Sequence, residues 1–236
     1  MDSNGWIYLY YLGWTVGSDM NKVVVAVSVD AGNTWAYKLV TLSGFDGMAS
    51  PVDPDVRILP DGTFRMYVTS DPNDGQGPRT YRAEGTNGFH FTNQGVAFSQ
   101  SGKKVLDPSI AVVGGTWHLF AGGNTTSSGG NWHATSADGQ SFTNAEDNLV
   151  TAYQGNPCAL SNAVDFPGGH RFYGFTRGAA SIVSFWSTDG WTWTEEAGYR
   201  LQVDVSTGME KGDVKDAAVV RLEDGTYLMV YVTEIP

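Results

Sequence analysis

Four short segments of the chain end in nearly the same way, and their spacing restricts the folds that the chain can adopt. Each segment has an Asp or Asn beside a Gly, with an aromatic residue a few positions later. The segments are VSVDAGNTW (27–35), EGTNGFHF (84–91), TSADGQSF (135–142) and WSTDGWTW (186–193). Their shared glycines at positions 32, 88, 139 and 190 are separated by 56, 51 and 51 residues. A period of this length is typical of folds that repeat one supersecondary unit.

A second pattern repeats in step with the first and predicts a strand, a tight turn and another strand. Apolar residues alternate around a Gly-containing turn in each copy, which is the pattern of a β-hairpin. The copies are VDPDVRILPDGTFRMYVTS (52–70), LDPSIAVVGGTWHLFAGG (106–123), ALSNAVDFPGGHRFYGFTR (159–177) and KDAAVVRLEDGTYLMVYVT (215–233). One unit is therefore predicted to have four strands: an inner strand that opens on Asp, its hairpin partner, a third that ends at the Asp–Gly segment, and a short fourth.

Composition agrees with an all-β protein and argues against some partners. The chain has 236 residues, 13% aromatic, with 30 Gly and only 17% charged residues, which suits a large core joined by many turns. No segment has a sustained helical period, and no apolar run reaches about eighteen residues, so we expect almost no helix and no membrane insertion. The net charge of −11, with only 14 Lys and Arg, argues against nucleic acid as a partner.

Four-stranded units repeated in this way predict a β-propeller, in which radial packing protects the sheet edges. We predict one propeller domain over residues 1–236 with five blades, of which the first and last are incomplete. The predicted blades cover about 1–45, 46–100, 101–152, 153–208 and 209–236, and the first blade has strands near 6–14, 22–28 and 37–42. Since the first blade lacks an inner strand, we expect the natural chain to extend upstream. A four-bladed ring, with the terminal pieces merged into one sheet, is the alternative.

The inner strands carry the residues that suggest chemistry. Inner strands of a propeller converge on its axis, so equivalent residues of successive blades are expected to surround one pocket. Asp53, Asp107 and Asp216 occupy the equivalent position, with Asn156 or Asn162 as the nearest counterpart in the fourth unit.

The alternation of a β-strand places Asp55 on the same face as Asp53. Carboxylates around one funnel repel each other, which raises the pKa of at least one and makes an acid and a base from one residue type. Glycosidic bond cleavage uses such a pair. A structural interpretation is also open, in which each repeated Asp caps the start of an inner strand by accepting backbone hydrogen bonds. Repetition alone does not choose between them.

These motifs resemble those of known propellers. The segment SVDAGNTW (28–35) resembles the Asp-box repeat of sialidases, and the hairpin segments resemble blades of the five-bladed glycoside hydrolases, such as arabinanases, β-xylosidases, arabinofuranosidases and invertases. The resemblance implies an Asp base, a second Asp that tunes pKa, and a Glu acid. Asp53 and Asp107 match the Asp positions, and Asp216 is a third candidate. Glu210 is our candidate acid, because its irregular segment could fold over the funnel mouth.

Further candidates concern the substrate. Sialidases resemble one another in an arginine triad, and the chain lacks their early Arg-Ile-Pro motif, but Arg79 and Arg177 lie at strand or loop ends where a funnel could use them. Asp55 and Trp132 complete the predicted substrate-binding set, with Trp132 as a stacking surface for sugar. The four histidines have no metal-ligand spacing, so we expect no cofactor, although the resemblance allows a calcium ion in the central channel.

We therefore expect a glycoside hydrolase that cleaves a polysaccharide or oligosaccharide at an axial carboxylate pocket. The alternatives are a non-catalytic propeller that binds glycan or protein through the same face, and a sialidase-like fragment of a larger protein. A protein that degrades polysaccharide is expected to be secreted or periplasmic.

Overall fold

The chain forms an all-β structure. A computed structural model describes residues 1–13, 21–124, 130–150, 152–176 and 180–236, and in these ranges the one helical element is a 3-10 turn at Val205–Thr207. The strands are β1 (Ile7–Gly13), β2 (Lys22–Ser28), β3 (Ala36–Leu39), β4 (Thr41–Ser43), β5 (Val52–Ile58), β6 (Phe64–Ser70), β7 (Arg79–Gly85), β8 (His90–Phe98), β9 (Leu106–Val113), β10 (Thr116–Asn124), β11 (Gly130–Ser136), β12 (Thr143–Val150), β13 (Ala152–Tyr153), β14 (Asn156–Phe166), β15 (Gly169–Thr176), β16 (Ser181–Ser187), β17 (Thr194–Glu195), β18 (Leu201–Gln202), β19 (Val214–Arg221) and β20 (Tyr227–Thr233).

Most strands pair with their neighbours in the chain, as the repeated unit predicts. The sheets have the orders β1-β2-β3, β4-β8-β7-β6-β5, β12-β11-β10-β9, β13-β14-β15-β16-β17 with β18 beside β16, and β19-β20. One pairing departs from the predicted blade boundaries, because β4 lies parallel to β8 in the second sheet rather than in the first.

The all-β class is confirmed, but the predicted count of five blades is not. Four sheets have three or more strands, which is the blade number of the four-bladed alternative, and β19 and β20 form a separate hairpin. That alternative also merged the terminal strands into one sheet. Within the described residues, β1–β3 and β19–β20 belong to separate sheets.

The chain divides into two compact units. Unit 1 comprises Met1–Pro108 with Gly139–Thr143, and unit 2 comprises Ser109–Asp138 with Asn144–Pro236. In unit 1, Phe64, Met66 and Phe91 belong to a core packed against Tyr8 and Tyr10 of β1. Unit 2 has a core around Phe120 and Phe172, and another around Ile182 and Val219. That all residues form a single domain stays a prediction.

The turn at Asp30 shows why the Asp–Gly segments recur at the ends of third strands. The Asp30 carboxylate accepts hydrogen bonds from the Thr34 hydroxyl at 2.7 Å, the Thr34 backbone N–H at 2.8 Å and the Ser28 hydroxyl at 2.7 Å. These donors, with the Thr34 hydroxyl first, lower the pKa of Asp30 to about 2. Gly32 supplies a φ of 90°, and the Trp35 indole donates to the Gly32 carbonyl at 3.0 Å. The turn therefore joins two strands, as predicted, and it also fixes an aromatic side chain.

Candidate functional site

The three aspartates that the repeat aligned share an unusual backbone conformation. Asp53, Asp107 and Asp216 have φ values of 54°, 51° and 51°, in the left-handed region that few non-glycine residues adopt. Such a conformation costs about 1–3 kcal/mol and persists only where the surrounding structure imposes it. The sequence equivalence of these residues is therefore also an equivalence of backbone geometry.

A β-bulge explains the conformation in two of the strands. Against β6, the register shifts between Val52 and Asp55, and against β20 it shifts between Lys215 and Ala218. Each shift leaves one extra residue in the inner strand, which bends the strand and re-aims the side chain there. Since a bulge interrupts alternation, the argument that placed Asp55 on the same face as Asp53 does not hold across it.

The inner strand of the fourth sheet, β14, also has a register shift, but none of its residues has a positive φ. There the register shifts between Leu160 and Asn162, and Asn162 pairs with Tyr173 as Asp55 pairs with Tyr67. Asn162 therefore corresponds to Asp55, and the counterpart of the bulged aspartates is Leu160. The prediction that Asn156 or Asn162 fills this position is wrong, because the sequence does not show where the extra residue enters.

Asp107 is held through its backbone. Its N–H donates to the Thr69 hydroxyl oxygen at 3.1 Å, across from β9 to β6. The Asp107 side chain is exposed, whereas Pro108 and Ser109, which follow it, are buried. The strand therefore presents its carboxylate and buries the residues after it.

Two polar contacts occur in the sheet of Asp55. The Asp55 carboxylate lies 3.5 Å from the Arg57 guanidinium, and the Tyr67 hydroxyl donates to the Gly139 carbonyl at 2.6 Å. Burial raises the pKa of Tyr67, so this phenol stays neutral over the physiological range. Asp55, with a side chain 11% exposed, is thus a mostly enclosed carboxylate beside a cation.

Arg79 lies at the same end of this sheet as Asp53. It begins β7 opposite Ser70, at the edge where β6 ends, and its guanidinium pairs with the Asp74 carboxylate of the preceding loop. The predicted position at a strand end is confirmed, and its role in binding substrate stays a prediction. Arg177 lies outside the described residues.

In unit 2, Glu210 is buried and bound on both carboxylate oxygens. Its Oε2 accepts the Asp204 backbone N–H at 2.7 Å, and its Oε1 accepts the Tyr231 hydroxyl at 2.7 Å. The bond to this carboxylate raises the pKa of Tyr231. Glu210 therefore fastens the 204–210 loop to β20.

Asp216 is exposed and lies 3.8 Å from the Lys215 ammonium.

Trp132 lies in the interior of unit 2. It is 3% exposed on β11, opposite Ala121 of β10. Stacking on a sugar ring needs an open aromatic face, so this burial gives no support to the predicted contact.

Two findings concern ions and membranes. Among the residues that the structure describes, no group of three or more His, Cys, Asp or Glu side chains is arranged to hold a metal ion. The calcium ion that the resemblance allows stays a prediction. No helix in the described part of the chain has the length and hydropathy needed to cross a membrane.

Comparison with solved structures identifies the fold. The chain superposes on a thermostable family-43 glycoside hydrolase with a TM-score of 0.76 at 16% identity, covering 99% of this chain and 81% of that one. It superposes on a family-43 β-xylosidase/α-arabinofuranosidase from a compost microbial metagenome, in complex with xylotriose and calcium-free, with a TM-score of 0.71 at 16% identity, covering 96% and 82%. An endo-arabinase from Bacteroides thetaiotaomicron gives 0.66 at 18% identity, covering 98% and 86%.

The fold is therefore the β-propeller found in these glycoside hydrolases. No protein-family description matches the sequence, and no curated protein matches it. At identities below one fifth, the likeness shows the fold and leaves the chemistry to the residues of this chain.

Sequence reasoning missed the side chains that secure the inner strands. Thr69 is one, and Asn162 is another, since its Oδ1 accepts the Val219 backbone N–H of the next inner strand at 2.8 Å. A Thr in a strand is ordinary and carries no signal. The sequence predicts Asn162 as a counterpart of the aspartates around the pocket and gives no signal for its link to the next inner strand.

Proposed function

We propose that the chain is a glycoside hydrolase that acts on an uncharged oligosaccharide or polysaccharide, with Asp53 and Asp107 as its central carboxyl groups. The observation that carries this proposal is the left-handed backbone that both residues share at their inner-strand positions. Strained residues cluster at active sites, where the strain fixes a reacting group. The Asp107 carboxylate is also exposed, so a substrate can reach it.

The solved structures support the class of substrate. Their names describe a β-xylosidase/α-arabinofuranosidase bound to xylotriose and an endo-arabinase, which act on pentose chains without charge. The present chain has a net charge of −11, which disfavours anionic sugars near its carboxylates. Xylosyl and arabinosyl substrates are therefore the first to test.

The proposed chemistry needs a proton donor and a proton acceptor on either side of the glycosidic bond. In our assignment, Asp53 activates water and Asp107 adjusts the pKa of its neighbours. Two reacting carboxyl groups about 6.5–9.5 Å apart would invert the anomeric centre, whereas about 5–5.5 Å would retain it.

The proton donor is the open part of the assignment. Glu210 was our sequence candidate, but both its oxygens already accept hydrogen bonds, which suits an ionised carboxylate. Its role as the acid stays a prediction from the sequence, and so does the catalytic role of Asp216.

Hydrolysis of aryl glycosides and oligosaccharides tests the proposal. The panel covers xylosyl, arabinofuranosyl, fructosyl, galactosyl and sialyl substrates, with Asp53→Asn and Asp107→Asn beside the unaltered chain. Asp61→Asn is the matched control, because Asp61 lies in the hairpin turn at the other end of β5 and accepts the Thr63 N–H at 2.9 Å.

We expect turnover of a pentoside and a loss of about 10²–10⁴-fold in the two axial variants, as for removal of an acid or base. The Asp61 variant should keep full activity. No turnover of any substrate by a folded chain, or equal activity in all variants, would refute the proposal.

One observation favours the alternative, a propeller that binds glycan without cleaving it. The fourth inner strand carries Leu160 at the bulge, so one of the equivalent positions is apolar. Calorimetric titration with xylo- and arabino-oligosaccharides distinguishes the two functions, because a binder gives heat of binding and an unchanged oligosaccharide.

A further inference from the structure

The Asp107 backbone is held by a side chain of the neighbouring sheet. Thr69 is 3% exposed on β6, and its hydroxyl oxygen accepts the Asp107 N–H at 3.1 Å. Pro108 follows Asp107 and has no N–H to offer, so the backbone at this point has few hydrogen bonds that could define it. The bond to Thr69 is therefore a contact that can define the backbone at Asp107.

We propose that Thr69 is a positioning residue, which holds the Asp107 backbone in its left-handed conformation and so fixes the direction of the Asp107 carboxylate. The effect of Thr69 on catalysis rests on the proposed function, because the direction of the Asp107 carboxylate matters for catalysis only if Asp107 is catalytic. The hydroxyl does not touch the carboxylate and acts only through the backbone.

Thr69 is not a residue that the repeat copies into every sheet. Thr69 lies two residues after Tyr67, the residue that pairs with the first residue beyond the bulge. The residues at the same place in the other sheets are Phe175 on β15 and Val232 on β20. Neither has a hydroxyl group. The acceptor is therefore specific to the strand that faces Asp107.

Unit 2 contains a comparable link made with different residues. Asn162 of β14 accepts the Val219 N–H of β19 at 2.8 Å, three residues after Asp216. A side-chain acceptor thus secures the inner strand that follows it in both units. Since Thr and Asn serve in turn, the shared feature is the acceptor and not the residue type.

The test compares Thr69→Val, which keeps the shape of the side chain and removes the acceptor, with Thr69→Ser, which keeps the acceptor. Thr69→Ala is the second variant without a hydroxyl, in case the valine variant does not fold. Ser70→Ala is the control, because Ser70 is the next residue of the strand, is 2% exposed, and donates to the Ala49 carbonyl at 2.7 Å without touching Asp107.

Two readouts separate this inference from the proposed function. Hydrogen exchange followed by NMR reports the protection of the Asp107 amide, and steady-state kinetics on the best pentoside report kcat and KM. In Thr69→Val and Thr69→Ala we expect that protection to fall about tenfold and kcat to fall about tenfold at nearly constant KM, since the loss of a hydrogen bond leaves a backbone donor unsatisfied. Thr69→Ser should restore both.

Three results would overturn the inference: unchanged Asp107 exchange in the variants without a hydroxyl, equal losses in Ser70→Ala, or a Thr69→Ser variant as impaired as Thr69→Val. If the unaltered chain hydrolyses nothing, the proposed function fails by itself. The exchange measurement still decides whether Thr69 holds Asp107.

Discussion

His118 and His133 form a hydrogen-bonded pair in the interior of unit 2, with 2.9 Å between the His118 Nδ1 and the His133 Nε2 atoms. Both side chains are fully buried, and their rings stack with an interplanar angle of 15°. Phe120 stacks on the pair, and Trp191 meets both rings edge-on. A pair enclosed in this way must stay neutral, because a charge there would lack water.

This pair should make stability depend on pH. Burial lowers the pKa of His118 and lowers that of His133 to about 4. Asp189 opposes the shift of His118 and His170 adds to it. The unfolded chain, in which a His has a pKa of about 6.5, therefore binds more protons than the folded chain, and stability should fall as the pH falls from about 6.5 to 4.

Urea midpoints measured between pH 7.5 and pH 4 check this prediction. His133→Phe, which keeps an aromatic ring beside Phe120, should flatten the fall. His90→Gln is the control, because the His90 side chain is exposed. A midpoint that does not change with pH in the unaltered chain would contradict it.

Gly190 should tolerate no side chain. A Cβ at this position would lie 2.8 Å from the His118 Nε2, and its φ is 78°. Gly198 has a similar φ of 83° with nothing within 4 Å, so Gly198→Ala should cost only the left-handed strain of about 1–2 kcal/mol. Gly190→Ala should cost clearly more in the free energy of urea unfolding. Equal costs would mean that the His118 contact adds nothing.

The Asp30 turn should lose stability when its acceptor is removed. Asp30→Ala leaves the Thr34 hydroxyl and N–H without their partner, so its melting temperature should fall below that of Asp46→Ala, an exposed Asp of another turn. Because the pKa of Asp30 is lowered to about 2 from the ordinary value near 3.9, its contribution is present above pH 4 and is lost as the pH falls to 2. Calorimetric scans at pH 6 and pH 2.5 measure both effects, and the Asp30 variant should be less pH-sensitive over this range.

The ion pair of Arg171 and Glu196 should contribute more to the free energy of unfolding than an exposed ion pair does. Arg171 binds Glu196 through two hydrogen bonds of 2.7 and 2.8 Å, and Ser184 donates to the same carboxylate at 2.7 Å. Glu196→Gln should cost about 1–2 kcal/mol of unfolding free energy, because two charged contacts weaken in a half-buried site. Glu234→Gln, which removes an exposed pair with Lys211, should change little. Chemical denaturation at low and high salt compares them, and a larger effect at Glu234 would reverse our ranking.

Strands and turns could be predicted because their signals are local. The strand predicted near residues 22–28 is found at Lys22–Ser28, and the Asp–Gly segments form the expected turns. Alternating apolar residues and turn residues act within a few positions, so one sequence reveals them.

The details of the candidate site were beyond such reasoning. No local signal in the sequence marks where a bulge adds its residue, so the register that aligns Leu160 with Asp53 becomes visible only when the strands are paired. The contacts of Glu210 with Tyr231 and of Thr69 with Asp107 join residues 21 and 38 positions apart, and no local pattern marks either pair.

The bulge itself has a consequence for how such a protein can change. An extra residue in one strand interrupts the ladder locally and leaves the pairing on either side of it in place. Asp53 and Leu160 lie two residues before the pair that follows the register shift in two sheets of one chain, and both sheets keep the pairing beyond it. The fold thus accepts a carboxylate in one inner strand and an apolar side chain in another at this position, so a mutation there can add or remove a reactive group while the architecture stays the same.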